Sequence, residues 1–225
     1  MNKLIRWRHR RIWVEPSSIG SIRGLSELPI DERQFLENWI ISGKPLVGRA
    51  INPCDETGKN LLPLGLMLHL AGSSKKRLNL QIDSSLILKV DEPLSIKTVM
   101  EALPLNIAVK VNSMLSGLAD YPIQIKVFGS VFWSYEGKQN YMTENSDIDL
   151  LISFTQNCNL STLSKTLCHL SNEIDLRLDG EFEFINGNSV SWREFASKAT
   201  ELLVKTDSGP KLMARHRMME EFNVL

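Results

Sequence analysis

The spacing of hydrophobic residues changes near residue 91, and the two parts of the chain predict different elements. In the first part, short apolar segments alternate with turn-rich segments, a pattern that predicts strands. These segments are 45–51, 61–70, 77–82 and 85–90. One amphipathic helix is expected to begin at Asp31, which forms a capping box with Gln34, and to stop at Gly43. The first part therefore predicts a small β-rich domain.

Longer periodic segments appear in the second part. Helical periodicity is present at 94–104, at 105–120 and at 160–172, where the leucines form one stripe. The remaining elements are predicted strands at 123–130, 147–154, 173–188 and 201–206, and a short helix at 191–199. We therefore predict an α+β protein. Residues 1–91 form the β-rich domain, and residues 92–225 form a mixed sheet flanked by helices.

Charge and composition exclude several classes of protein. The 225 residues include 26 Lys and Arg against 26 Asp and Glu, so no net charge is available to hold a nucleic acid or an anionic membrane. No segment approaches the roughly 20 apolar residues that cross a bilayer, and arginines stand where a signal peptide needs its apolar stretch. Cys54, Cys158 and Cys168 lack Cys-x-x-Cys spacing. We expect a cytoplasmic protein that binds neither nucleic acid nor a membrane.

Basic residues are concentrated in the first 25 positions. Glu15 is the only acidic residue of this segment. The basic residues are Lys3, Arg6, Arg8, Arg10, Arg11 and Arg23. Two interpretations remain open for this basic arm: a solvated segment, or an edge that contacts phosphates or an acidic partner protein.

Candidate chemistry is concentrated at the ends of two predicted strands in the second part. Asp147 and Asp149 are two residues apart, so both carboxylates lie on one face of a strand. Adjacent carboxylates repel each other, and a bound Mg²⁺ relieves that repulsion. Gly129 and Ser130 follow the preceding strand, where close backbone approach and the N–H groups of a helix start suit a phosphate. A D-x-D pair is also common on the solvent face of a strand. Its order relative to Gly-Ser and a later aspartate favours the metal site.

These residues resemble the nucleotidyltransferase superfamily typified by DNA polymerase β. Its pattern is Gly-Ser, two acidic residues one apart, and a third acidic residue on a later strand. The resemblance covers about residues 123–180. For the third carboxylate we prefer Asp175, because apolar residues flank it as in the superfamily pattern. Asp179 is the alternative, since both alternate onto one face of the strand predicted at 173–188.

Segments along most of the chain resemble one narrower family. They are Arg8-His9 with Ile12-Trp13, Trp39 before Pro45-Leu-Val47, Arg49, the FGS and SDIDLLI segments, DLRLD, Gly187 before Trp192-Arg-Glu-Phe195, and LLVKTDSGPKL. The family is that of the malonate decarboxylase holo-acyl-carrier-protein synthases, also called phosphoribosyl-dephospho-CoA transferases. The resemblance implies a substrate, 2'-(5''-triphosphoribosyl)-3'-dephospho-CoA. It also implies an acceptor, a serine of the acyl-carrier protein subunit of malonate decarboxylase.

The resemblance also implies roles for the candidate residues. Asp147 and Asp149 would hold Mg²⁺ on the triphosphate, and Asp175 would complete the metal site and act on the attacking hydroxyl. Gly129 and Ser130 would hold the departing phosphates.

Two further basic residues are candidates for substrate binding. Lys205 stands near the end of a predicted strand, where it reaches a phosphate or is simply a surface lysine. Arg49 is a similar candidate. We expect the first domain, through Arg49 and the basic arm, to form the second wall of a cleft facing the aspartates.

Two other functions remain open. One is a different enzyme of the same superfamily, which uses a nucleoside triphosphate on a small molecule or a protein. The other is a non-catalytic binding module of the same fold.

Overall fold

The computed structural model describes residues 6–56, 58, 60–69, 74–143 and 146–222. The chain forms two compact units. The first contains the residues up to Pro93 together with Asp207–Gly209, and the second contains Leu94–Thr206 and the residues from Pro210 onward. Helices accompany both an antiparallel and a mixed sheet, so the predicted α+β class is confirmed. Within the described ranges, no helix is long and apolar enough to cross a membrane.

The first unit is built on a five-stranded antiparallel sheet. Its strands are β1 (Arg11–Val14), β2 (Leu46–Gly48), β3 (Leu61–Leu68), β4 (Lys76–Asp83) and β5 (Ile87–Asp91). They lie in the order β4-β3-β2-β1-β5. Leu64 and Leu66 of β3 are fully buried and stand opposite Leu80 and Leu78 of β4. Burial of each such side chain contributes about 2 kcal/mol, which explains why the apolar segments form strands here.

Helix α1 (Ile30–Ile41) turns Leu36, Trp39 and Ile40 inward, as the periodicity predicts. Its first residue follows Pro29, and no side chain caps it, so the predicted capping box is wrong. Pro29 has a ψ of 154° and stands at the N-cap, so the helix begins at Ile30, before Asp31. Glu32 stands instead in the first turn, where its charge suits the helix dipole, and it accepts hydrogen bonds of 2.7 and 2.8 Å from Lys76 Nζ.

The basic arm leads into the sheet at Arg11, and its residue Lys3 lies outside the described residues. Strand β1, which the sequence analysis does not predict, lies between β2 and β5 and buries Ile12. Arg8 and Arg10 are only 9% and 6% exposed, and Arg10 Nε is 3.2 Å from Glu92 Oε1. Arg11 reaches Asp91. A solvated arm is therefore wrong for Arg8 and Arg10, which are buried. Glu92 and Asp91, at the end of β5, balance the charges of Arg10 and Arg11.

The second unit is built on a six-stranded sheet in the order β11-β10-β9-β8-β7-β6. Its strands are β6 (Ile123–Val127), β7 (Ile148–Phe154), β8 (Leu178–Glu183), β9 (Ser189–Ser191), β10 (Glu201–Thr206) and β11 (Gly209–Ala214). β7 and β8 are parallel, whereas β6 pairs antiparallel with β7 and β9 pairs antiparallel with β8. A parallel pair needs a crossover, which contains helix α5 (Leu160–Glu173).

The remaining helices also belong to the second unit. They are α2 (Ile96–Val99), α3 (Leu105–Gly117), α4 (Gly129–Gly137), α6 (Trp192–Ala196) and α7 (Arg215–Glu221), with a 3₁₀ turn at Met100–Ala102. The helices predicted at 105–120, 160–172 and 191–199 are confirmed, although their ends differ by a few residues.

The sheet of the second unit has an apolar and a polar face. Leu150 of β7, Phe182 of β8 and Val190 of β9 share one face and are fully buried. Residues that alternate with them, Asp149 and Asp179 among them, share the other face. The polar face and the strand ends beside it therefore carry the candidate chemistry.

Candidate active site

The start of the β7–β8 pair carries two successive pairs of charged residues. Asp149 and Asp179 are register partners on the parallel strands, so both carboxylates project from the same face. Two residues before each of these aspartates, Asp147 and Arg177 form an ion pair, with Arg177 Nε 2.8 Å from Asp147 Oδ1. Ile148 N donates to Arg177 O at 2.8 Å. One pair is thus an ion pair and the next is a pair of like charges.

Like charges opposite each other on neighbouring strands destabilise a sheet unless another charge compensates them. Asp149 is half-buried and Asp179 is exposed, so the pair is open to a ligand on one side. Carboxylate oxygens exposed in this way are of the kind that bind a cation.

Gly129 brings the start of α4 against Asp149. It has a φ of 63°, which lies in the left-handed region, and a Cβ built there would lie 1.9 Å from Asp149 Oδ2. Phe128 N donates to Asp149 O at 3.2 Å, which ties the end of β6 to β7. No side chain caps α4, and Ser130 lies in its first turn. The predicted group of Gly129, Ser130 and Asp149 is therefore brought together, and glycine is required for it.

Asp175 is not on a strand, so its predicted position on the strand at 173–188 is wrong. Helix α5 continues to Glu173, and Asp175 takes a left-handed φ of 47° just after it. Leu176 N donates to Ser171 O and Asp175 N donates to Asn172 O, the pattern of a Schellman motif. The Asp175 side chain is 99% exposed, and its carboxylate and carbonyl both contact Lys110 Nζ. Asp175 thus ends a helix, and β8 begins at Leu178.

Lys205 is held by a buried carboxylate. Its Nζ is 2.8 Å from Glu181 Oε1, and the Glu181 side chain is only 4% exposed. Ser189 Oγ donates a short hydrogen bond to the other oxygen of Glu181. Lys205 therefore neutralises Glu181 on the polar face of the sheet, and its side chain remains 40% exposed.

Arg49 is held within the first unit. Its guanidinium forms a two-point ion pair with Asp55, with one N–O distance of 2.7 Å, and also donates to the backbone carbonyls of Leu64 and Leu80. The side chains of Arg49 and Asp55 are 13% and 8% exposed. Hydrogen bonds from Arg49 hold the pKa of the Asp55 carboxyl below its usual value of 3.8. This geometry gives Arg49 a structural role and does not present it to a substrate.

We expect Arg49→Met to lower the free energy of unfolding of the protein by about 3 kcal/mol at pH 7, because it leaves a buried carboxylate without its partner. The folded pKa of Asp55 lies below the unfolded value of 3.8, so the pair stabilises fully above that value. The contribution is lost as the pH falls through the folded pKa. Urea unfolding at pH 7 and pH 3 measures both effects.

The matched control is Arg23→Met, which removes an ion pair with Glu56 in which both side chains are about half exposed. It should cost less than about 1 kcal/mol. Equal losses for Arg49→Met and Arg23→Met, or an Arg49→Met deficit that does not shrink at pH 3, would contradict the structural role.

A magnesium ion fits the donors at the start of β7. In the part of the chain that the structure describes, no three His, Cys, Asp or Glu side chains are grouped closely enough to form a complete metal site. The carboxylates of Asp147 and Asp149 are oxygen donors of the kind Mg²⁺ binds, and Gly129 leaves the space beside Asp149 that a Cβ would fill. Mg²⁺ commonly takes only one or two protein carboxylates and completes its shell with water and substrate phosphates.

The sequence pattern does not predict a role for two charged residues of this unit. Arg177 is recognisable in the sequence only as the nearest basic residue, and its position opposite Asp147 depends on the β7–β8 register. The sequence also does not indicate that Glu181 is buried, although Asp179, Glu181 and Glu183 alternate along the segment. Strand period identifies such a row only after the start of the strand is known.

Comparisons with known proteins match both units. The family model of the phosphoribosyl-dephospho-CoA transferase MdcG C-terminal domain matches residues 94–216, and that of the MdcG N-terminal domain matches residues 7–93. A phosphoribosyl-dephospho-CoA transferase of Bradyrhizobium diazoefficiens is 28% identical over 94% of this chain and 92% of its own length. That of Xanthomonas axonopodis pv. citri is 31% identical over 80% of this chain and 83% of its own. No solved structure matches. The chain therefore belongs to the phosphoribosyl-dephospho-CoA transferase family.

Proposed function

We propose that this protein transfers the phosphoribosyl-dephospho-CoA group from 2'-(5''-triphosphoribosyl)-3'-dephospho-CoA to a serine of the acyl-carrier subunit of malonate decarboxylase. The observation that carries the proposal is the Asp149–Asp179 pair beside the glycine start of α4, in a chain that matches the family in both units. The three cysteines are free thiols, which suits a reaction in the cytoplasm.

The chemistry is a single displacement at phosphorus. The serine oxygen forms a bond to the innermost phosphorus of the triphosphate. The bond between that phosphorus and the oxygen it shares with the second phosphorus breaks. Pyrophosphate leaves with the bonding electrons. The serine hydroxyl loses its proton, and the product is a phosphodiester.

Asp147 and Asp149 are the residues that would hold magnesium against the triphosphate. When bound, the ion neutralises phosphate charge and stabilises the leaving pyrophosphate. The start of α4 at Gly129 and Ser130 offers backbone N–H groups and a hydroxyl to the same phosphates. We assign to Asp179, the register partner of Asp149, the role of accepting the proton of the serine hydroxyl.

Arg177 has a positioning role in this scheme. Its guanidinium holds Asp147 in the structure, and its side chain is 63% exposed, so it is also open to a phosphate. An arginine at this point offsets the carboxylates that would otherwise repel the triphosphate.

We expect Arg177→Met to lower kcat/KM for transfer by about ten- to a hundredfold, with Arg177→Lys intermediate because lysine keeps the charge and loses the planar fork. The loss should fall mainly on KM for the triphosphoribosyl compound and weaken its salt dependence. Lys110→Met is the control, because Lys110 pairs with Asp175 on the surface. If Arg177→Met and Arg177→Lys both retain wild-type kinetics across a salt series, Arg177 has no role in transfer.

Release of pyrophosphate tests the proposed function. The protein is incubated with Mg²⁺ and either the triphosphoribosyl compound or ATP, each with and without the carrier subunit. We expect pyrophosphate only when the triphosphoribosyl compound and the carrier are both present. Release from ATP with a carrier or small-molecule acceptor, and none from the triphosphoribosyl compound, would show a different enzyme of the superfamily.

A further inference from the structure

A cavity of about 450 Å³ opens at the C-terminal end of α4, within the second unit. Its lining residues come from the 3₁₀ turn with its following loop and from the end of α4 with the segment after it. They include Glu101, Tyr135, Lys138, Gln139 and Asn140. The volume is sufficient for a heterocyclic base with part of a ribose.

Hydrogen bonds hold the wall of this cavity in place. Lys138 turns the chain back in a left-handed conformation with a φ of 53°, after which Tyr141 is fully buried. Tyr141 N donates to Ser134 Oγ at 2.9 Å, and Gln139 Nε2 donates to Tyr141 Oη at 2.8 Å. The segment 138–141 is thereby fixed against α4, so the cavity is a preformed feature of the fold.

The cavity lies at the opposite end of α4 from the carboxylates. Ser130 and Ser134 are four residues apart and share one face of the helix, and Ser134 lines the cavity. From Gly129 to Lys138 the rise is about 13 Å at roughly 1.5 Å per residue. In the proposed substrate, about nine covalent bonds through two ribose rings join the reacting phosphorus to the adenine, a span of roughly 10 Å. The length of α4 is therefore close to the distance between the reacting phosphorus and the adenine.

Three lining groups fit an aminopurine. Lys138 Nζ lies over one face of the Tyr135 ring, 4.6 Å from its centroid, so a base would stack on the other face. Glu101 is exposed at the rim and accepts hydrogen bonds, as an exocyclic amino group requires. Asn140 Oδ1 accepts from Met142 N at 2.8 Å, which leaves the amide NH₂ group as a donor for a ring nitrogen.

We propose that this cavity binds the adenine of the substrate, an inference that rests on the proposed function. Adenine suits the lining better than the pantetheine arm does, because a flexible arm has no ring to stack on Tyr135 and no aromatic amino group to donate to Glu101. The base then anchors the substrate while α4 spans the distance to the phosphates.

Calorimetry with the full-length protein tests this proposal. The probes are 3'-dephospho-CoA, its hypoxanthine analogue and 4'-phosphopantetheine, none of which can undergo transfer. We expect Tyr135→Ala and Glu101→Ala to weaken 3'-dephospho-CoA binding by about tenfold or more, in the range of base stacking measured by alanine substitution. Tyr135→Phe, which keeps the ring, should bind normally. The hypoxanthine analogue, which lacks the amino group, should bind the wild type more weakly than 3'-dephospho-CoA does. Its affinity should be the same for the wild type and for Glu101→Gln.

Two outcomes would overturn the adenine assignment. One is unchanged 3'-dephospho-CoA affinity in folded Tyr135→Ala and Glu101→Ala; the second variant keeps the test valid if the first is unstable, because Glu101 is exposed. The other is an equal loss of 4'-phosphopantetheine binding, which would assign the cavity to the arm. If the wild type transfers the group in either case, only the cavity assignment fails. Absence of transfer with intact, Tyr135-dependent binding would instead reject the proposed function.

Discussion

Asp149→Asn should reduce transfer at least about a thousandfold while the protein stays folded. The amide keeps the shape of the side chain and loses the charge that binds magnesium against the triphosphate. The same substitution also reduces like-charge repulsion with Asp179, the register partner of Asp149, so the protein should still unfold cooperatively. Single-turnover rates and thermal unfolding curves measure both effects. Asp147→Asn should likewise abolish transfer.

Asp120→Asn is the matched control, because Asp120 is an exposed aspartate between α3 and β6. Its transfer rate should equal that of the wild type. Near wild-type turnover by Asp149→Asn would reject the site assignment, whatever the reaction.

The second large effect is expected at Asp179. Asp179→Asn should lower the transfer rate by about a hundredfold or more, because the scheme assigns the proton of the serine hydroxyl to this carboxylate. Asp175→Asn should retain transfer and stability, since asparagine also tolerates the left-handed conformation after α5.

The two substitutions are chemically identical and four residues apart, so each is the control for the other. The rate dependence on pH adds a second readout, since loss of a general base flattens the acidic limb of the profile. Loss of transfer in Asp175→Asn together with normal transfer in Asp179→Asn would restore the role predicted from sequence for Asp175.

Local patterns predict most of the fold. The apolar alternation that defines β3 and β4, and the leucine stripe of α5, are properties of neighbouring residues and appear directly in the sequence. Strand β1 is not predicted, because it begins beside Arg10 and Arg11, whose acidic partners Glu92 and Asp91 lie some 80 residues further along the chain. A local count of charge gives no information about such partners.

The site shows the same division. Gly129, Ser130, Asp147 and Asp149 are predicted because each lies next to a strand that is itself predictable. The choice between Asp175 and Asp179 depends on where α5 ends and β8 begins. Ile174 and Leu176 continue an apolar pattern compatible with a strand, yet the Schellman hydrogen bonds fix a helix end there. Arg49 and Lys205 are recognisable as basic residues, but their partners Asp55 and Glu181 become apparent only in the folded units.

The expected cleft between the first domain and the aspartates stays a prediction. Arg10, Arg11 and Arg49 have acidic partners within the first unit, so they do not supply the basic wall on which that prediction depended.

The intact mass of the carrier subunit tests the central claim most directly. The carrier is incubated with Mg²⁺, the triphosphoribosyl compound and either the wild-type protein or Asp149→Asn, alongside a carrier in which the acceptor serine is alanine. We predict that the wild type adds one phosphoribosyl-dephospho-CoA group to the carrier. The carrier with alanine at the acceptor position should gain no mass, and the unchanged carrier should gain none with Asp149→Asn. An unchanged carrier mass with the wild-type protein, or an equal mass increase with Asp149→Asn, would contradict the account.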